Sequence, residues 1–172
     1  MSMPRLVLLS LLVAHAALGA DPVEFTVGNF VFKRPEKWGW VTPASAMRKA
    51  QLSVSAGEDG EPAEVTFFHF GAGQGGSVQA NVDRWFKQFS DGSTDARTEQ
   101  VGKTTVTFVE ALGTFASGMP GGPTTPLKDY ALRGAILASP AGDVYVKMTG
   151  PQKVVKHAEP AFEEMIRGAA SR

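Results

Sequence analysis

The residues best suited to chemistry in this chain stand close together. His69 follows the apolar run Val65-Thr66-Phe67-Phe68, Gly71-Ala72-Gly73-Gln74-Gly75-Gly76 comes next, and Ser77 opens a helical pattern that carries Arg84. The glycine stretch satisfies G-x-G-x-x-G between a strand and a helix, the setting in which backbone N–H groups and a helix N-terminus face a phosphate. Asp91 lies 20 residues beyond Gly71, the interval at which a ribose-binding acid is sought. It sits in the turn directly after the helix, however, whereas the Rossmann acid ends the next strand. Two readings of the stretch stay open. Gly73, Gly75, Gly76 and Ser77, aided by Arg84, form a cradle for a small anion or an oxyanion. Alternatively, they form a strand-to-helix turn that needs positive φ and close packing.

The other reactive types are scattered. His69 and His157 have no H-x-x-x-H partner or acidic cluster around them, so His69 reads either as a hydrogen-bonded sheet residue or as a ligand or base. Ser77, His69 and Asp83 make a triad on paper, with no nucleophile elbow behind it. Glu163 and Glu164 are neighbours on a helix and point about 100° apart, which makes no carboxylate pair. Glu110 interrupts an apolar strand face; it needs a cationic partner there, or it lies near the strand's exposed end. Trp38 and Trp40, two apart, share one side of an extended segment and either line a shallow groove or pack into the core. Met119 is the one apolar side chain in the Gly/Pro-rich stretch 117–123, a long loop of the kind that carries function on rigid sheets.

Composition narrows the function classes. Lys+Arg and Asp+Glu are 17 each in 172 residues, which argues against nucleic-acid binding and against adsorption to anionic membranes. Zero cysteines excludes disulfides, thiol catalysis and thiolate metal sites. Residues 1–5 give a positive start through Arg5, residues 6–18 are an apolar run, and Ala17-Leu18-Gly19-Ala20 ends in small residues. That is the layout of a secretory signal peptide. As a helix the run spans about 20 Å, short of the roughly 30 Å hydrocarbon core, so no stable membrane insertion is expected after its removal. Residues 21–172 are expected to form one exported domain, periplasmic or secreted.

The elements that must position these residues follow from periodicity. Residues 23–27 and 30–33 flank Gly28-Asn29, a two-residue hairpin signal. Residues 47–55 and 64–70 read as strands, the second apolar on both faces and so central. Residues 77–89 form the clearest helix: Val78, Val82, Trp85, Phe86 and Phe89 make one stripe. Strands are expected at 104–115, 129–138 and 144–149, with 116–127 too long for a tight hairpin. In the last strand Val144, Val146 and Met148 alternate with Tyr145, Lys147 and Thr149, which gives it one wetter face. A second amphipathic helix closes the chain, with Pro160 expected to kink or restart it. Strand blocks divided by single helices specify an α+β domain: a mostly antiparallel sheet flanked by two amphipathic helices.

The early hairpin leading to Phe32-Lys33-Arg34-Pro35, the Trp38-Gly39-Trp40 segment, the helix after the second strand pair and the closing strand and helix joined at Thr149-Gly150-Pro151 together resemble the PsbP-like α/β/α sandwich family. The resemblance implies that fold, no cofactor and a non-catalytic binding role. The expectation is an exported soluble binding or accessory protein of the cell envelope, its partner an unknown protein or small ligand. The alternative is an envelope enzyme or small-anion binder that uses the 71–77 turn.

Overall fold

The computed structural model describes residues 21–58, 60–118 and 122–172. The expected signal segment, residues 1–20, and Met119 lie outside the described residues.

Alternating apolar residues set the first elements. Strands β1 (Glu24–Val27) and β2 (Phe30–Lys33) pair antiparallel around Gly28-Asn29, with Val27, Phe30 and Phe32 turned inward. Gly28 sits at φ +59°, the left-handed conformation that such a two-residue turn demands. Eight further strands follow, in chain order β3 (Trp38–Trp40), β4 (Arg48–Val54), β5 (Ala63–His69), β6 (Phe89–Ser90), β7 (Thr94–Val101), β8 (Thr104–Gly118), β9 (Thr124–Leu137) and β10 (Val144–Pro151). They build one antiparallel sheet in the order β3-β4-β5-β10-β9-β8-β6, with β7 also paired to β8. The expected α+β antiparallel architecture is therefore present, with helix α1 (Val78–Phe86) on one face and helix α2 (Gln152–Ala170) on the other.

The two faces are closed by different means. On the α2 side, Phe67, Leu52, Val65, Val106, Val146 and Met148 meet Val155, Phe162, Met165 and Ile166 in the main core, which the β1–β2 hairpin also joins. On the α1 side, Val82 and Trp85 pack against Val109, Leu132, Ile136 and Tyr145 in a smaller cluster. Trp85 needs Gly134 beneath it, because a Cβ there would run into the indole ring.

Several local expectations are corrected. Helix α1 ends at Phe86, and Phe89 enters β6 opposite Phe115, so the helical stripe stops one turn early. Within that stripe Val82 and Trp85 are buried, while Val78 and Phe86 are only half-buried. Strand β7 has no counterpart in the sequence pattern. Its residues are mostly polar because it is an exposed edge, held by its backbone ladder to β8. Arg97 adds to that hold with its guanidinium carbon 4.7 Å from the Phe108 ring centre, and Arg167 of α2 donates to Glu99 of β7 at 2.7 Å. Stretch 116–127 is not a long loop: β8 and β9 continue pairing out to Gly118↔Thr124, past a register shift between Gly113 and Phe115. Helix α2 runs unbroken through Pro160. Both Pro160 and Lys156, whose carbonyl loses its donor, lie on the exposed side, where water replaces the missing bond. Glu110 is not at an exposed strand end; it stands opposite Arg133 in mid-strand and pairs with it at 3.1 Å, while Arg133 also holds Glu159 at 2.8 Å.

Candidate binding face

The glycine-rich turn is built as a helix cap. Gly71, Gly73, Gly75 and Gly76 all have positive φ, the conformation that only glycine takes without strain. The Ser77 side chain accepts from the Ala80 N–H at 3.2 Å. Asn81, 4% exposed, donates from Nδ2 to the carbonyls of Gly75 (2.8 Å) and Ser77 (2.9 Å) and accepts from Arg84 at 2.6 Å. Exposed Arg84 reaches the turn through Asn81, and a Cβ on Gly75 would approach the Tyr145 hydroxyl to 2.8 Å. Every one of these contacts ties the turn to its own helix or to the sheet below.

His69 lies elsewhere. Its Nε2 is 3.2 Å from the Ala141 carbonyl and its ring abuts Gly28, so it fastens the β1–β2 turn to the β9–β10 turn. Among its described contacts are neither Ser77 nor Asp83. Trp38 is buried at 5% exposure in the main core, and half-buried Trp40 sits edge-on to Phe25 at 5.4 Å. The tryptophan pair is therefore a packing feature of the sheet edge. A concavity of about 640 Å³ lies between the β1–β2 hairpin and the end of α2, lined by Val23, Arg34, Pro35, Met165 and Arg172 among others.

The most unusual chemistry was not singled out by motif. Side chains alternate along a strand, so Tyr145, Lys147 and Thr149 of β10 point to the α1 side. Helix α1, nine residues long, covers Tyr145 and the adjoining part of the sheet. Beyond its last turn the same face carries Lys147 and Thr149 of β10, Glu64 of β5, and Arg48 and Gln51 of β4. Arg48 and Gln51 both bond to Glu64, at 2.6 and 2.7 Å, which neutralises that arginine. Phe89, Phe115 and Tyr130 form an aromatic shelf alongside. The Phe115 ring centre is 5.2 Å from that of Phe89 and 5.9 Å from that of Tyr130, which is nearly parallel to it at 7°. Burial, together with a hydrogen bond to Glu61, pushes Tyr130 up to about 12.

Lys147 sits at the centre of this arrangement. Its Nζ donates to the Gln88 side-chain carbonyl at 2.5 Å and lies 5.4 Å from the Phe115 ring centre. No carboxylate of the described residues is within 4.0 Å of it. Burial brings its pKa down from 10.5 to about 8; Glu64 opposes the shift, and the Arg48 and Arg84 charges reinforce it. Two residues along, Thr149 Oγ1 is buried with no hydrogen-bond partner. The signal for this face was the wet alternation of β10. What that pattern lacked was where α1 would end.

No protein-family model matches the chain, and no curated protein matches it in sequence. Solved structures do. Cyanobacterial PsbP from Synechocystis superposes with a TM-score of 0.51 at 11% identity, over 86% of this chain and 92% of that one. A protein of unknown function from Pseudomonas aeruginosa gives 0.49 at 13% identity, over 84% and 92%. At such identities the likeness to PsbP is one of fold: this chain has a PsbP-like fold, as the order of its elements implied. Among the described residues, no helix is long and apolar enough to cross a membrane.

Proposed function

We propose that this protein is an exported, non-catalytic binding or accessory protein that engages its ligand or partner on the half of the sheet face that α1 leaves open. The observation that carries the reading is Lys147: a largely buried ammonium that, among the described residues, meets an amide and an aromatic ring but no carboxylate. Desolvating a charge without a counter-charge is costly, and such arrangements cluster where proteins do something besides fold. The positive start, the apolar run and the small residues before Asp21 support export. The glycine turn contributes rigidity at the top of α1, since its side-chain partners are internal.

The test has two parts. Expression of the full chain in a Gram-negative host, followed by fractionation and N-terminal sequencing, should yield a periplasmic product that begins at residue 20 or 21. An intact chain confined to the cytoplasm would remove the export half. For the binding half, a photo-crosslinker placed at Gln51 should capture a discrete species from the native envelope. Capture only from a crosslinker at Gln79, on the outer side of α1, would put the binding surface elsewhere.

A further inference from the structure

The open face has a charge imbalance that points to the kind of molecule it takes. Arg48 is matched by Glu64 at 2.6 Å, and Glu61 faces the neutral Tyr130 phenol. Arg84, which approaches from α1, is held by Asn81. Among the described residues Lys147, like Arg84, meets a neutral amide in place of a carboxylate, and Lys147 is the one that lies beside the aromatic shelf. An ammonium has three N–H donors. Gln88 takes one, and no second acceptor of the described residues is in hydrogen-bond range. Next to those unused donors lies the half-buried Phe115 ring, backed by Tyr130 and Phe89.

Resting on the reading of this face as the binding surface, we propose that it binds a small organic monocarboxylate, whose carboxylate accepts from the Lys147 ammonium and whose apolar body lies against Phe115. A single negative charge balances the Lys147 ammonium. Arg48 is already spent on Glu64, which leaves the Lys147 ammonium as the cation that faces the Phe115 ring. The aromatic shelf adds a preference for a planar or bulky apolar group over a bare carboxylate, because contact with the ring removes apolar surface from water. Charge-assisted hydrogen bonds in a partly dry setting are stronger than neutral ones, so the contact at Nζ supplies most of the affinity.

The experiment is a titration of the purified protein with sodium benzoate, sodium acetate and inorganic phosphate, read by NMR at the lysine ε-methylene groups. Benzoate should shift Lys147 selectively and raise its pKa from about 8 toward 10.5, since a bound carboxylate favours the charged form. Acetate should do the same at higher concentration. Lys147→Met should weaken benzoate binding about tenfold or more, with folding checked by circular dichroism. Phe115→Leu, which keeps bulk but loses the ring face, should erase the preference for benzoate over acetate while acetate still binds. Two results overturn the proposal: a Lys147 signal that benzoate does not move, or equal shifts from phosphate, benzoate and acetate, which mark an unselective ionic effect. If benzoate fails while the Gln51 crosslinker still captures a protein, the binding surface stands and its ligand is a macromolecule.

Discussion

The two faces of the sheet receive the same alternating strands and end up as different environments. On the α2 side a 19-residue helix and the β1–β2 hairpin cover the apolar half of every central strand, and Phe32, Phe67 and Phe162 reach near-zero exposure. On the α1 side a nine-residue helix covers only the region around Tyr145, Ile136 and Gly134, and the strands continue past it with Glu64, Lys147 and Gln51. At 1.5 Å rise per residue, α1 is roughly half as long as α2. Helix length thus divides the molecule: one face is spent on stability, and half of the other is left for polar groups that a packed core does not tolerate.

The sharpest way to break this contrast is Phe162→Ala. If the α2 face holds the fold together, removing that ring should cost about 3–5 kcal/mol in a urea melt; a loss below about 1 kcal/mol would mean that the face collapses around the gap or was never the main core. Gly134→Val tests the covered part of the other face. The new side chain displaces Trp85 from its seat, so a loss of about 1–3 kcal/mol is expected, together with a changed near-ultraviolet tryptophan signal. An unchanged spectrum would show that α1 floats on the sheet.

Lys147 sharpens the comparison through pH. Its pKa is lower in the folded chain (about 8) than in the unfolded one (10.5). Below pH 8 both states hold the proton and the burial penalty is fully present. Between about 8 and 10.5 the unfolded chain binds more protons, so stability should rise with pH across that window. Tyr130 and Tyr145, both pushed above 10.0 by burial, work in the opposite direction from pH 10 upward, so the clean interval ends there. Lys147→Met should therefore gain about 1 kcal/mol near neutral pH and lose the rise between 8 and 10. A wild-type melting midpoint that is flat over this interval would place the ammonium in water. The smallest effect is expected at the cap: Ser77→Ala should cost about 1 kcal/mol, with helix α1 exchanging its amides faster. No change in exchange would mean that Asn81 alone holds the helix start.

Much of the architecture was legible in advance where a single period dominated. The Gly28-Asn29 hairpin, the Val82 and Trp85 stripe and the Phe162, Met165, Ile166 run each bury the residues that their spacing selects. Legibility failed where an element owes its existence to a neighbour. Strand β7 has neither alternation nor burial of its own, and it forms because β8 offers it a backbone edge. The outer ends of β8 and β9, rich in Thr, Gly and Pro, extend for the same reason. The candidate site divides in the same way. The glycine motif matched a pattern and is tied inward by Asn81, while Lys147 belonged to no motif and, among the described residues, has an amide but no carboxylate as its partner.

By itself, the sequence determined which side of each strand is apolar, where the chain must turn, and that β10 has a wet side with Lys147 on it. Those are local properties of side-chain period and backbone permission, and neighbours do not alter them. Only the tertiary structure decided that α1 stops short of Lys147, that Glu64 is consumed by Arg48, and that Phe115 lies beside the ammonium. Each of these depends on strands distant in the chain meeting in one register, and charge balance at a point in space is a property of that meeting.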